Sequence, residues 1–261
     1  MIAAGAQSTV DLATGHLIAL LQRNTGDLIQ SLHLIGSIAD GDFRPGKSDL
    51  DFVAVLSREL TDDDAEALVV VHRSYRTDPT LPTLDGVWLA ADELRAGPDA
   101  AADGPTSQQG DFVVVARGNR NPVTWFSLPD AVTLIGELDH DALWRDRERL
   151  VSWVRDNAQS YWRRWLSSAS GISPAMLGRA APMWGVLGIS RLHYTATTGK
   201  IASKSAAGEW ALTAFDPRWH PIIEEALAHR RGDPSTYSNP FARRRDALAF
   251  VEMAIAEVAG A

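Results

Sequence analysis

Residues 32–56 limit the fold of this chain more than any other segment, because two apolar runs with the composition of strands flank a polar connection. The first run, 32–35, leads directly into Gly36 and Ser37. The connection contains glycine and proline, and the second run begins with two aspartates that stand two residues apart. Turn-forming residues between two such runs predict two strands of one sheet.

The two aspartates, Asp49 and Asp51, are predicted to act together. Side chains alternate between the faces of a strand, so residues two apart point to the same face. Aspartate is disfavoured within strands, and two at alternate positions need a reason. Mg²⁺ prefers hard oxygen ligands and is commonly held by one or two carboxylates together with substrate phosphate oxygens. The pair therefore predicts a site for a nucleoside triphosphate.

Gly36 and Ser37 fit the same interpretation. Glycine lets the backbone approach a triphosphate closely, and serine offers a hydroxyl and an amide to phosphate oxygens. A glycine-serine pair alone is a weak signal, but here a Gly/Pro turn at 41–46 and an S-D-x-D quartet follow it. This combination is typical of nucleotidyltransferases. The alternative is a hairpin that precedes an acidic strand.

Asp85 stands near the start of another apolar run, 84–90, and is a third candidate carboxylate. Nucleotidyl transfer requires an aligned attacking hydroxyl, neutralised phosphate charge and a group that accepts a proton. If 84–90 lies beside the strand that carries Asp49 and Asp51, the three acids complete a metal-dependent transferase site. Taken alone, Asp85 is equally typical of a strand edge or a turn.

The apolar pattern of the chain changes near residue 140. Upstream, helical patterns alternate with strand-like runs, whereas the downstream patterns are helical. The later predicted strands are 84–90, 112–117, 122–127 and 132–135, and the predicted C-terminal helices are 144–165, 173–197, 203–212, 219–230 and 240–258. The predicted fold class is therefore α+β: a mixed sheet flanked by helices in domain 1–140, followed by an all-α helical bundle in domain 141–261.

Charge and composition limit the partners. Residues 1–140 contain 9 Lys+Arg and 21 Asp+Glu, whereas 141–261 contain 16 and 12. The acidic half would repel a polynucleotide, so we expect no nucleic-acid partner. The chain contains no cysteine, which rules out disulfides and thiolate metal ligands. Residues 1–7 lack a signal-peptide pattern and no run of about 18 apolar residues occurs, so we expect a cytoplasmic protein without a membrane partner.

Two stretches carry a family resemblance: LIGSIADGDFRPGKSDLD at 34–51 and RLHYTATTGKIASKSAAGEWAL at 191–212. Together they resemble the streptomycin/spectinomycin adenylyltransferases. The resemblance implies a polymerase-β-type nucleotidyltransferase domain followed by a helical domain. It also implies transfer of AMP from ATP to a hydroxyl of an aminoglycoside with Mg²⁺, the activity by which such enzymes confer antibiotic resistance.

Carried over residue by residue, the resemblance assigns a role to each candidate in the first domain. Gly36 and Ser37 would hold the phosphates of ATP, and Asp49 and Asp51 would bind Mg²⁺. Asp85 falls where those enzymes have a glutamate that acts as the catalytic base. Aspartate is one methylene shorter, so Asp85 is expected to bind the second metal, to act as base, or both.

The helical domain is implied to contribute both nucleotide and acceptor contacts. Arg191 and Lys204 match the family positions that reach the nucleotide phosphates, which implies an active site between the domains. The relatives also place an aspartate and a histidine on the antibiotic, whereas Ala181 and Trp184 stand at those positions here. A polycationic aminoglycoside favours carboxylate partners, so this difference weakens the case for streptomycin in particular.

Other conspicuous residues are expected to be structural. Trp184 is predicted to be buried rather than to stack on an acceptor. Arg120, in the stretch ARGNRNP, is predicted to lie in a solvated turn, and the arginines at 243–245 are predicted to form a solvated helix face.

The sequence thus predicts a monomeric, Mg²⁺-dependent nucleotidyltransferase that uses ATP and modifies a small, cationic acceptor such as an aminoglycoside or aminocyclitol antibiotic. One alternative is AMP transfer to a protein side chain, as in nucleotidyltransferases paired with toxins. A second alternative is a nucleotide-binding sensor that does not turn over its ligand.

Overall fold

The structure, a computed structural model, describes residues 4–101, 103–171 and 174–260. The chain divides into two compact units between Arg145 and Asp146. The first unit contains a six-stranded mixed sheet with helices, and the second contains helices. The α+β fold class is therefore confirmed, whereas the predicted domains 1–140 and 141–261 stay a prediction.

The first unit is built around its sheet. Its elements are α1 Ala4–Asn24, β1 Ile29–Leu34, β2 Leu50–Leu56, α2 Asp62–Tyr75, β3 Leu84–Ala90, α3 Ala91–Ala96, β4 Gly104–Gln108, β5 Asp111–Ala116, α4 Pro122–Ser127 and β6 Val132–Ile135. The strand order is β5-β4-β3-β2-β1-β6. Strands β2 and β3 run parallel, and every other neighbouring pair is antiparallel.

The prediction of a strand at 122–127 is wrong, because this segment forms helix α4. The Asn121 side chain accepts a hydrogen bond from Val123 N and caps the helix. Pro122 occupies the first helical turn, where its missing N–H leaves no hydrogen bond unmade. Local capping therefore outweighs the β-propensity of this short stretch.

Apolar side chains cover both faces of the sheet. Even-numbered residues of β2, such as Phe52, pack with α1 and α2 in one buried cluster. Val53 and Val87 point to the opposite face and pack with Trp125 of α4 in a second cluster. Alternation along each strand separates the two clusters. The odd-numbered residues of β2 and β3 therefore share the face that α4 covers.

The second unit is helical. Its α-helices are α5 Arg147–Asn157, α6 Arg163–Ser170, α7 Pro174–Leu177, α8 Ala180–Thr198, α9 Lys204–Ala214, α10 His220–Arg231 and α11 Pro240–Gly260, and a π-helical turn at Ala158–Trp162 joins α5 to α6. Helix α8 contacts α5, α9, α10 and α11. Ser173, the predicted start of one helix, lies outside the described residues. Within the described ranges, every helix is too short or too polar to cross a lipid bilayer.

The predicted solvated face at 243–245 is only partly correct. Arg243 is buried and donates a hydrogen bond to the carbonyl oxygen of Leu177 at 2.6 Å. Arg244 donates to three carbonyl oxygens at the end of α6, those of Ala169, Ser170 and Gly171. Guanidinium groups carry five donors, which suits them to satisfying free carbonyls at helix ends.

Candidate active site

Asp51 and Asp85 are direct neighbours in the sheet. Parallel strands β2 and β3 pair in a register that sets Asp51 opposite Asp85. Asp51 and Asp85 each stand two residues before a valine, Val53 or Val87, that packs on the α4 side of the sheet. Since residues two apart on a strand point to the same face, both aspartate side chains point to that side. The sequence-based expectation that 84–90 lies beside the acidic strand is therefore confirmed.

Gly36 follows β1 and lies against Asp51. Strands β1 and β2 are antiparallel, so the end of β1 lies beside the start of β2, and Ile35 N donates to Asp51 O at 3.0 Å. Gly36 has a φ of +62°, and a β-carbon at this residue would lie 2.7 Å from Asp51 Oδ2. Only glycine fits here without displacing the carboxylate or straining the backbone.

The hydroxyl of Ser37 is buried, and it has no hydrogen-bond partner among the described residues. The backbone around it is held in a compact turn, in which Asp40 N donates to Gly36 O and Asp42 N donates to Ser37 O, each at 2.8 Å. A buried polar group without a partner costs about 1–3 kcal/mol. This cost would be relieved by a ligand that offers an oxygen to the hydroxyl.

Asp49 stands one residue before β2 and is exposed, whereas Asp85 is half-buried. Burial raises the pKa of Asp85 to about 6, and the negative charge of Asp49 adds to this effect, while the Gly86 N–H opposes it. A carboxylate with such a pKa is a better proton acceptor than an ordinary aspartate.

The acids have the chemistry that Mg²⁺ requires, since they offer hard carboxylate oxygens. Within the part of the chain that the structure describes, no three His, Asp or Glu side chains form a ready-made metal-binding group. Mg²⁺ usually takes one or two carboxylates and fills its shell with water and substrate phosphates. Asp49 and Asp51 satisfy that smaller requirement, so the residues fit a metal that arrives with its nucleotide.

Asn119 contacts Asp85, although no sequence pattern predicted a role for this asparagine. Asn119 Nδ2 donates a hydrogen bond to Asp85 Oδ1 at 2.9 Å. The adjacent Arg120 is fully buried and forms an ion pair with Glu93 at 3.0 Å, so the expected solvated turn is wrong at this residue. An asparagine in a turn is typical of local capping, and only the folded chain brings it to Asp85.

The other two predicted nucleotide contacts belong to the second unit. Arg191, on α8, donates from Nε to the carbonyl oxygen of Ala202 at 2.9 Å. Ser203 caps α9 through a hydrogen bond from Ala206 N, and Lys204 is the first residue of that helix. The fold thus brings Arg191 and Lys204 to neighbouring segments, while Gly36, Ser37 and the three aspartates belong to the first unit.

Trp184 is not buried as expected, because 38% of its surface is exposed. Its ring stacks on Trp162 with centroids 4.9 Å apart and an angle of 24° between the planes. Trp165 and Tyr161 also pack against it. Tyr161 and Trp162 lie in the π-helical turn, a feature that is often found at functional sites. Together these four residues form an aromatic cluster with an exposed edge.

Known proteins resemble this chain in sequence. Residues 150–257 match the family described as "Aminoglycoside adenylyltransferase, C-terminal domain". Proteins named aminoglycoside (3'')(9) adenylyltransferase from Klebsiella pneumoniae and Shigella flexneri are each 32% identical to the chain over 75 residues, which is 29% of the chain and 29% of either relative. A protein of the same name from Escherichia coli is 46% identical over 41 residues, or 16% of each chain. The matched segments thus span less than a third of these relatives.

A solved structure resembles the chain over nearly its whole length. The crystal structure of spectinomycin adenyltransferase AAD(9) from Enterococcus faecialis with ATP and spectinomycin has a TM-score of 0.69, covers 95% of this chain and 98% of its own, and is 15% identical. At this low identity the likeness shows a shared fold. Together with the family match at residues 150–257, it confirms the resemblance to the aminoglycoside adenylyltransferases that the sequence indicated.

Proposed function

We propose that the chain is a nucleotidyltransferase that transfers AMP from ATP to a hydroxyl of an aminoglycoside or aminocyclitol antibiotic. The observation that carries this proposal is the register of β2 and β3, which sets Asp51 beside Asp85 on one face of the sheet. The proposal includes activity as a monomer in the cytoplasm, where ATP is available.

Gly36 and Ser37 hold the triphosphate in this proposal. The φ of Gly36 and its close approach to Asp51 support a turn whose backbone can face phosphate oxygens. The buried hydroxyl of Ser37 supports a hydrogen bond to one of those oxygens. Arg191 and Lys204 add positive charge to phosphate binding, a role that rests on their match to the family motif and on the affinity of cationic side chains for phosphates.

Asp49 and Asp51 would hold Mg²⁺, with Asp85 as a further ligand, and the bound metal would supply charge neutralisation for the triphosphate. Asp85 would also accept the proton of the attacking acceptor hydroxyl, a role supported by its place opposite Asp51 in the sheet. The hydroxyl then attacks the α-phosphorus of ATP, an AMP ester forms, and pyrophosphate leaves.

The acceptor site includes Trp184. Residues 179–184 contain no carboxylate, and the exposed tryptophan offers a flat aromatic surface instead. Such a surface favours an acceptor ring with an apolar face over a polycation whose amino groups need carboxylate partners. We therefore expect an aminocyclitol such as spectinomycin to be modified in preference to streptomycin.

The experiment is incubation of the purified protein with ATP, Mg²⁺ and a panel that contains spectinomycin and aminoglycosides. We expect pyrophosphate release and an antibiotic that gains the mass of AMP. The Asp49→Asn and Asp51→Asn variants should remain folded and lose this activity, whereas Asp62→Asn, an exposed acid at the start of α2, should retain it.

Other results would replace the proposal with one of its alternatives. AMP attached to a protein from a cell extract, with every antibiotic unmodified, would indicate a protein acceptor. Binding of ATP without pyrophosphate release, across the panel and the extract, would indicate a nucleotide-binding sensor.

A further inference from the structure

Asp85 and Asn119 form a contact between a strand and a turn that are distant in sequence. Asn119 Nδ2 lies 2.9 Å from Asp85 Oδ1 and donates a hydrogen bond to it. An amide is neutral and presents fixed donors, so it can orient a carboxylate without neutralising it. The Gly86 N–H also donates a hydrogen bond to this carboxylate, so an amide of the turn and an amide of the strand both contact it.

The backbone of Asn119 is held in place by its own turn. Thr124 Oγ1 and Asn121 N both donate hydrogen bonds to the carbonyl oxygen of Asn119, at 2.5 and 2.9 Å. The Asn121 side chain in turn caps α4, the helix that packs on the same face of the sheet as Asp85. The two hydrogen bonds to the carbonyl oxygen of Asn119, neither of which uses the Asn121 side chain, limit the positions that Asn119 can take.

Arg120 fixes the turn to the strand that carries Asp85. Its side chain is fully buried and donates hydrogen bonds to Glu93 Oε1 at 3.0 Å and to the carbonyl oxygen of Trp88, a residue of β3. A β-carbon at Gly104 would lie 2.5 Å from Arg120 Cζ, so the guanidinium fills the space beside this glycine. The turn is thus bound to β3 next to Asn119, which sets the amide in register with Asp85.

We propose that Asn119 is a positioning residue that fixes the orientation of the Asp85 carboxylate within the proposed transfer site. This inference rests on the proposed function, in which Asp85 faces the acceptor. An aspartate reaches less far than a glutamate, so its carboxylate has to be held at a defined angle to face the acceptor. A second consequence is that Asn119, which is distant from Asp85 in sequence, influences the rate through this contact.

The kinetic test compares two asparagines of the same turn. We expect Asn119→Ala to lower kcat about 10- to 100-fold with little change in the KM for ATP, because misplaced groups lose rate rather than binding. Asn121→Ala removes the helix cap and should lower the melting temperature while leaving kcat near that of the wild type. Equal losses of kcat in the two variants would overturn the proposal, because they would assign the effect to the turn as a whole.

A double-mutant cycle separates action through Asp85 from any independent effect. If Asn119 acts through Asp85, Asn119→Ala should lower kcat no further when Asp85 is already replaced by asparagine. Additive losses would overturn the proposal. The conservative variant Asn119→Gln, which restores an amide donor, should recover part of the lost rate.

A third measurement does not depend on turnover. In the protein without substrates, the side-chain amide NMR signal of Asn119, assigned from its loss in Asn119→Ala, should shift in Asp85→Ala and stay unchanged in Asp62→Ala. An unchanged signal in Asp85→Ala would overturn the proposed contact. If the signal shifts but the protein modifies no acceptor, the proposed function fails while the pairing of Asn119 with Asp85 stands.

Discussion

Gly36 lies so close to Asp51 that a β-carbon on residue 36 would stand 2.7 Å from Asp51 Oδ2. The turn that begins at Gly36 therefore packs tightly on the acidic strand, and a side chain at residue 36 would displace the Asp51 carboxylate. Antiparallel pairing of β1 with β2 produces this proximity, because it sets the end of one strand at the start of the other.

We expect Gly36→Ala to abolish most of the adenylylation activity, since it displaces Asp51 and strains a backbone with a φ of +62°. The matched control is Gly26→Ala, where φ is +57° but no atom lies within 4 Å of the added β-carbon. Both variants should lose about 1–2 kcal/mol of stability from left-handed strain. Thermal melts and rates of pyrophosphate release would test this, and equal rates in the two variants would contradict the expectation.

Part of the acidic cluster could be predicted from the sequence. Strand alternation predicted a shared face for Asp49 and Asp51, because a periodicity of two is a property of every strand, although β2 begins at Leu50 and Asp49 stands just before it. The apolar run 84–90 predicted a further strand, and the structure confirms that it lies beside β2. The register that sets Asp51 opposite Asp85 could not be predicted from spacing, because it depends on how the two strands pair in the fold.

Other parts of the site depend on long-range packing. Asn119 reaches Asp85 because the adjacent Arg120 binds β3 through a buried hydrogen bond. The sequence around Arg120 is typical of a solvated turn and does not predict this contact. Trp184 is 38% exposed although it packs against Trp162, whereas tryptophan at helical spacing usually indicates a core position. Neither outcome is set by local propensity, so neither could be read from periodicity.

His72 makes the stability of the first unit depend on pH. Burial lowers its pKa, and Arg76 adds to this, while the Leu68 carbonyl and Asp111 oppose it. Its two ring nitrogens contact Leu68 O at 2.8 Å and Ser107 Oγ at 2.7 Å, and both contacts can be satisfied by the neutral ring.

Because the folded pKa lies below the unfolded value of about 6.5, the unfolded chain binds the extra proton first as the pH falls. The free energy of unfolding should therefore be constant above about pH 6.5 and decrease below it, until the pH reaches the folded pKa, by at most about 1.4 kcal/mol per pH unit for this group. Urea unfolding of the wild type and of His72→Gln between pH 8 and pH 5 would measure the difference. His16→Gln, at an exposed position, should preserve the wild-type pH dependence.

Glu225 stabilises the second unit. It is fully buried and accepts hydrogen bonds from Arg179 Nε at 2.8 Å, Ser235 Oγ at 2.7 Å and Thr236 N at 2.7 Å. Burial alone would raise its pKa, but these hydrogen bonds outweigh burial and lower it.

We expect Glu225→Ala to lower the free energy of unfolding by about 1–3 kcal/mol, because it removes the buried acceptor of these hydrogen bonds, while the partly exposed donors can turn to water. The adjacent Glu224 is exposed, so Glu224→Ala provides a matched control with little expected effect. Denaturant titration followed by far-UV circular dichroism would test both variants. If Glu225→Ala lowers the free energy of unfolding by less than about 1 kcal/mol, water replaces the lost contacts and Glu225 does not stabilise the unit as expected.

Trp184 provides the sharpest test of the acceptor. Its exposed ring is held from behind by Trp162, so the side chain is oriented before a ligand arrives. We expect Trp184→Ala to raise the KM for the antibiotic about tenfold, equal to about 1.4 kcal/mol, while the KM for ATP stays unchanged. Trp184→Phe should retain most of the affinity, since a smaller ring still stacks.

The control for Trp184→Ala is Trp219→Ala, which removes a ring that packs on Phe250. Equal losses in both alanine variants would assign the effect to general packing, whereas a loss confined to Trp184→Ala would mean that the acceptor presents an apolar ring face to this tryptophan.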